Sequence, residues 1–219
     1  MKVKIFVNNP FQENTILLYD ETKEAVVIDC GCFDSEEREA FKKFVRENQL
    51  QLVCSLNTHL HIDHVLGNNF IQDVYGLAPQ ASQEDDFLIK NAVQYAAYLG
   101  ISGIAQPPVT SHYLKDGDTI RFGNSELMVI AVPGHSPGGL CFYSDADKLL
   151  ISGDSLFAGS IGRTDLPGGD SRQLLAAIRA KLFVLEDQVK VLPGHGSMTT
   201  IGDCLLYTSP SPRDGLLSR

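Results

Sequence analysis

Histidine is scarce in this 219-residue chain, yet three of its six histidines fall within Thr58-His59-Leu60-His61-Ile62-Asp63-His64, directly after an apolar run. Such clustering suits imidazole and carboxylate chemistry: proton transfer, or the holding of a divalent cation through neutral ring nitrogens and carboxylate oxygens. On an extended segment His59, His61 and Asp63 share a parity and point one way, and a turn after Asp63 brings His64 round from the start of the next helix. Three further loops at strand ends carry a related group: Val132-Pro133-Gly134-His135, Ser152-Gly153-Asp154 and Leu192-Pro193-Gly194-His195. In each, a glycine lets the backbone turn sharply enough to present the side chain over the strand end. The set His59, His61, Asp63, His64, His135, Asp154 and His195 holds five imidazoles and two carboxylates. A lone histidine is usually a hydrogen-bonded core or surface residue, but burying seven such groups at one sheet edge with no ion to satisfy them would be costly. Seven ligands exceed what one four-coordinate ion uses. Two divalent ions are therefore expected, zinc first, with iron or manganese also suited to these donors.

The elements that must position these groups follow from periodicity. VKIFV, NTILLYD and AVVID are short apolar runs separated by Asn8-Asn9-Pro10 and closed at Gly31, the pattern of β-strands joined by tight turns. SEEREAFKKFVREN places Ala40, Phe41, Phe44 and Val45 at helical spacing, with Asp34 or Ser35 as its cap. QLVCSLNT is a buried strand running to His59, Gly67 to Tyr75 a short helix, and residues 82–100 a helix ending on Gly100. TIRF and ELMVIAV form a hairpin about Gly123-Asn124, LCFYS and KLLISGD are two more strands, and SRQLLAAIRAKLFVL is a helix before VKVLPG. One domain over residues 1–202 is expected, with two similar β-rich halves covered by helices. Residues 203–219, CLLYTSPSPRDGLLSR with its preceding Asp203, have no helical or strand period and read as a non-native or disordered tail.

Composition narrows the function. With 18 Lys plus Arg against 27 Asp plus Glu, the net charge of −9 would repel a phosphate backbone, so no nucleic-acid partner is expected. No apolar run reaches the length of a spanning helix or a signal peptide, so the chain is expected to be soluble and cytoplasmic, with no membrane partner. Five irregularly spaced cysteines are expected to be reduced, and Cys30-Gly31-Cys32 reads as turn or core rather than a metal site. His112 reads as a surface histidine, Glu36-Glu37 and Asp85-Asp86 as solvated helix faces, and Phe87, Tyr95 and Tyr98 as packing residues.

T-H-x-H-x-D-H followed by P-G-H, G-D and P-G-H resembles the signature of the metallo-β-lactamase fold superfamily over residues 3–202, and GDSLFAGSIGRTD resembles its glyoxalase II (hydroxyacylglutathione hydrolase) branch and short relatives. The resemblance implies an α/β (α+β) fold, an αββα four-layer sandwich with metals at one edge. It assigns His59, His61 and His135 to one ion and Asp63, His64 and His195 to a second, with Asp154 bridging. It further implies hydrolysis of hydroxyacyl thioesters such as S-lactoylglutathione by a hydroxide held between ions about 3.5 to 4 Å apart, with Asp63 orienting it.

Arg163 lies nine residues after Asp154, where the larger glyoxalase II enzymes carry a basic residue facing glutathione; it reads equally as a structural partner of Asp165 or Asp170. Two features depart from that branch: Gly196 stands where the larger enzymes have an aromatic-containing segment, and only 24 residues follow His195, too few for their C-terminal helical domain. Two other classes remain open. One is a persulfide dioxygenase with one iron on the equivalents of His59, His135 and Asp154, suggested by the G-R-T-D run Gly162 to Asp165; the other is a non-catalytic metal-binding domain. Lactam hydrolysis is weaker, since lactamases of this fold commonly place Cys or Ser at Asp154. The oligomeric state is left open.

Overall fold

The computed structural model describes residues 1–208. Three antiparallel strands, β1 (Lys2–Asn8), β2 (Glu13–Tyr19) and β3 (Glu24–Ile28), open the chain. Helix α1 (Ser35–Glu47), capped by Asp34 accepting from Glu37 N, crosses over to β4 (Gln51–Leu56), parallel to β3. Two short helices, α2 (Ile62–Val65) and α3 (Asn68–Tyr75), lead to β5 (Pro79–Ala81). After α4 (Asp86–Lys90) and α5 (Ala92–Tyr98), β6 (His112–Tyr113) completes a six-stranded sheet in chain order.

The second half repeats the plan. Strands β7 (Thr119–Phe122), β8 (Ser125–Ala131), β9 (Leu140–Ser144) and β10 (Leu149–Gly153) form an antiparallel meander. A small hairpin, β11 (Leu156–Phe157) with β12 (Ser160–Ile161), precedes α6 (Ser171–Ala177), which winds on through a π-helical turn over Ile178–Leu182. This crossover delivers β13 (Lys190–Pro193) parallel to β10, and β14 (Thr199–Thr200) ends the second six-stranded sheet, ordered β14-β13-β10-β9-β8-β7. Parallel neighbours require such a crossover, and its helix packs back on the sheet face.

Strand alternation builds the layers. Ile16, Leu18, Val26 and Ile28 face the second sheet and meet Leu127, Val129, Phe142 and Ile151 in the central core. Their neighbours Leu17, Ala25 and Val27 face outward onto Phe41 and Val45 of α1 and Phe70 and Ile71 of α3. On the far side Ile130, Cys141, Leu150 and Val191 pack on Leu174 and Ile178 of the α6 crossover. Both faces of the central strands are thus dry, which is why their sequences are unbroken apolar runs. The architecture is the expected αββα sandwich.

The chain departs from expectation at two places. Residues 82–100 are not one helix: a 3-10 turn over Gln83–Asp85, α4 and α5 are separate, and the break falls at Asn91, whose Nδ2 donates to Phe87 O. The packed domain also runs past residue 202, because helix α7 (Ile201–Thr208) extends six residues into the segment read as tail. Ile201 and Cys204, three apart on that helix, are both buried in the second outer core, and Thr200 Oγ1 accepts from Asp203 N. Residues 209–219 of that expected tail lie outside the described residues. Among the described residues no helix is long and apolar enough to cross a membrane. Cys30, Cys32, Cys54 and Cys141 are buried free thiols, and burial pushes Cys54 and Cys141 up to about 12, consistent with inert packing groups.

Candidate metal centre

Strands β3, β4, β8, β10 and β13 all run in one sense within their sheets and end at one edge of the sandwich. Their exits carry Asp29, the His59–His64 segment, His135, Asp154 and His195. Two backbone bonds stitch the sheets there: Asn14 N to Gly194 O at 2.7 Å and Leu140 N to Thr58 O at 2.7 Å. Two glycines are needed for closeness. A Cβ on Gly194 would meet Asp154 Oδ1 and, at 2.7 Å, His64 Cε1; one on Gly153, which has φ +50°, would collide with the Thr58 side chain. Larger residues would push the strand exits apart.

All seven sequence-predicted ligands converge. His59, His61 and His135 form one group and Asp63, His64 and His195 a second, each with its donor atoms within 4.8 Å of one another. Asp154 lies between them: Oδ1 is 3.5 Å from His64 Nε2, and Oδ2 is 3.6 Å from both His135 Nε2 and His195 Nε2. Asp63 Oδ2 is 3.1 Å from His195 Nε2 and 3.5 Å from His64 Nε2. The route to this geometry differs from the extended segment expected. Extension stops at His61, which precedes α2, and Asp63 and His64 both sit in that first helical turn, with His64 N donating to His61 O.

The donors fit divalent cations. His59 Nε2, His64 Nε2 and Asp154 Oδ1 are buried without a hydrogen-bond partner, the atoms a cation would satisfy. His61 Nδ1 lies 2.9 Å from His135 Nε2, a contact between two imidazole nitrogens that a shared cation would exploit through both lone pairs. Burial, reinforced by neighbouring imidazoles, holds His59 well below the ordinary imidazole value, and burial takes His61 down to about 3, so both rings are kept neutral, the form in which an imidazole can ligate a cation. Burial alone would depress His64 too, but Asp63, Asp154 and Asp29 reverse it and raise His64; His195 is raised likewise by Asp63 and Asp154. Burial would raise the Asp63 and Asp154 carboxyls, yet His64 and His195 hold both below the usual range. The carboxylate side of the site thus demands positive charge, which a bound cation supplies without protonating the rings.

Supporting groups fix the rings. Asp29 has φ +53°, an uncommon backbone for a residue with a side chain, and its carboxylate accepts from Thr58 N (2.7 Å) and Thr58 Oγ1 (2.6 Å) and lies 3.1 Å from His64 Nδ1. Thr58 Oγ1 also lies 3.0 Å from His59 Nδ1, and His135 Nδ1 lies 2.8 Å from Arg163 O. Asn14 Nδ2 donates to Pro193 O and Gly196 O, securing the His195 loop. Sequence reasoning missed Asp29, although a carboxylate closing the apolar run AVVI is the same strand-end signal that marks Asp154.

Three further groups differ from expectation. Asp85 is no solvated helix residue: it is fully buried and accepts from Leu60 N (3.2 Å), Ser136 Oγ (2.8 Å) and Gly138 N (2.6 Å), joining the His59–His64 loop to the His135 loop. Glu37 likewise accepts from Asn9 N and Phe33 N, each at 2.6 Å. Tyr98, read as packing, is 84% exposed and stacks on Tyr95, while Phe87 is also exposed. His112 is exposed as expected. A cavity of about 260 Å³ opens over the cluster, lined among others by Asp63, Tyr95, Asp154, Arg163 and His195. Arg163 itself is exposed and paired with Asp165 through two bonds of 2.7 Å, the structural alternative that its position allowed.

An αββα sandwich with a His/Asp cluster of metal-binding type at its strand exits defines a class of metal-binding hydrolases. A family model of the metallo-beta-lactamase superfamily matches residues 8–195, and the chain belongs to that superfamily. It is 34% identical over 203 residues to the hydroxyacylglutathione hydrolase GloC of Haemophilus influenzae, covering 92% of this chain and 94% of that one. The BLEG-1 B3 metallo-beta-lactamase superposes with a TM-score of 0.85 at 32% identity, covering 95% of this chain and 100% of that one. TTHA1623, solved in a di-iron-bound form, gives 0.83 at 33% identity over 95% of this chain and 99% of that one.

Proposed function

We propose that the chain hydrolyses acyl thioesters, S-lactoylglutathione-type hydroxyacyl thioesters among them, with two divalent ions held by the seven converging residues. The observation that carries this reading is the two groups of donors, with Asp154 within 3.6 Å of members of both and buried ligand atoms unsatisfied by protein. The likeness to GloC supports the substrate class. Zinc suits a site rich in imidazole, while the di-iron relative keeps iron in view. Ions bound there would supply Lewis acidity toward the thioester carbonyl and lower the pKa of water toward neutrality.

The chain's own groups do the rest. Asp63, at the open side of the cluster with its carboxylate held near His195, is placed to accept a hydrogen bond from water and orient it toward the cavity. Arg163 shares that cavity, and its exposed pairing with Asp165 is weak enough for a substrate carboxylate to compete. Arg163→Ala is expected to raise KM about three- to tenfold for a carboxylate-bearing thioester such as S-lactoylglutathione, with kcat nearly unchanged; equal KM values in steady-state kinetics would remove Arg163 from recognition.

The deciding experiment assays protein of measured metal content on S-lactoylglutathione and other thioesters, with an oxygen electrode in parallel. Hydrolysis without oxygen uptake at two ions per chain supports the proposal. One iron per chain with persulfide-dependent uptake would instead make it a dioxygenase, and inactivity of the fully loaded protein would favour a non-catalytic role. A second reading, lactam hydrolysis, is favoured by the likeness to BLEG-1 and is tested by adding β-lactams to the same panel.

A further inference from the structure

Beside the cavity over the cluster lies a smaller one of about 110 Å³. Its walls include Leu60 and Ile62 from the histidine segment, Phe87, Leu88 and Tyr95 from α4 and α5, and Pro167. Ile62, Tyr95 and His61 line both cavities, so the small one opens beside the imidazole group of His59, His61 and His135. The two differ in chemistry. The larger carries Arg163 and the site carboxylates; the smaller has no Lys or Arg in its wall. Phe87 is exposed here, and apolar surface left in water beside a reaction centre gains free energy once a ligand covers it.

The geometry points to this pocket as the site that receives the acyl chain of the substrate, and to apolar acyl groups of about three to six carbons as its class. The inference rests on the thioesterase reading for its substrate and on the pocket alone for its chemistry. A thiol carrier bearing carboxylates is directed to the larger cavity by Arg163, which leaves the uncharged acyl half for the apolar one. For size, an apolar cavity of about 150 Å³ accepts benzene, so about 110 Å³ suits a short aliphatic chain. Each methylene that leaves water there is worth up to about fourfold in binding.

Two measurements on metal-loaded protein test this. Calorimetry with the product acids is expected to give hexanoate at least tenfold tighter binding than acetate, and Ala92→Leu, which projects into the pocket from α5, is expected to shrink that ratio toward one. Phe87→Ala, at an exposed position, is a second variant that should reduce the same ratio. Kinetics on acetyl, butyryl and hexanoyl thioesters of one thiol should show kcat/KM rising with chain length, and the rise should flatten in both variants. Equal affinity for acetate and hexanoate, or a ratio that neither variant changes, would overturn the pocket even if every thioester is hydrolysed. Chain-length-dependent binding without thioester turnover would uphold the pocket and overturn the thioesterase reading.

Discussion

Asp63→Ala protein is expected to hold one divalent ion per chain instead of two and to lose at least 10³-fold of kcat on any thioester the parent hydrolyses. Asp63 is the only carboxylate in the group it forms with His64 and His195. Without it that group is two imidazoles with one shared carboxylate, Asp154, too few donors for a tightly held second ion. A 10³-fold loss corresponds to about 4 kcal/mol, within the range that charge stabilisation by a second ion supplies. Because Asp63 keeps part of its side chain exposed, the fold should survive, but the metal-free variant should melt somewhat below the metal-free parent, since His64 and His195 lose the carboxylate paired with them. Metal content by mass spectrometry and kcat on S-lactoylglutathione check this. Two ions with turnover within tenfold of the parent would take Asp63 out of both ion binding and catalysis.

The electrostatics explain why the two groups should respond differently. The group of His59, His61 and His135 contains three imidazoles and no carboxylate of its own, and burial keeps His59 and His61 neutral. The other group is tied to carboxylates on several sides, including Asp29 behind His64. Losing one negative charge therefore weakens the second group most, leaving the first its three rings.

The strand-end loops were legible because glycine and proline punctuate apolar runs, and because a histidine or aspartate directly after such punctuation has few other places to go than the sheet edge. Gly134-His135, Gly153-Asp154 and Gly194-His195 each obey that rule. The recurrence of strands and helices in two β-rich halves could be read for the same reason, though the strand pairing and the parallel crossovers could not. What periodicity could not supply was the path of the chain after His61, where three residues suffice to turn extension into helix and move Asp63 off the predicted face. Asn91 illustrates another limit: an apolar period running through 82–100 conceals a break at this residue, whose side-chain amide donates to the Phe87 carbonyl. Tyr95 and Phe87 keep helical spacing, but whether the face they share meets core or a cavity depends on Pro167 and Leu60, far away along the chain.

Asp85 is the clearest case of a residue whose role lies wholly in tertiary structure, since its three partners stand 25, 51 and 53 positions away. Asp85→Ala leaves Leu60 N, Ser136 Oγ and Gly138 N without their acceptor, each unsatisfied group costing about 1 to 3 kcal/mol. Part of that loss is offset because burial disfavours the Asp85 carboxylate, raising its pKa, and the alanine removes that penalty. A net destabilisation of about 3 kcal/mol is expected, lowering Tm by on the order of 10 °C. A purely structural role would stop there. Asp85, however, joins the loop carrying His59 and His61 to the loop carrying His135, so its removal should also weaken ion binding about 10- to 100-fold, as loss of groups that orient ligands does. Chelator competition at a temperature well below the lowered midpoint measures this separately from stability. Asp85→Asn keeps one acceptor oxygen but turns an NH₂ toward a donor, and it should fall between parent and alanine in both readouts. Unchanged ion affinity in Asp85→Ala, alongside the lower Tm, would make Asp85 a brace for the fold alone.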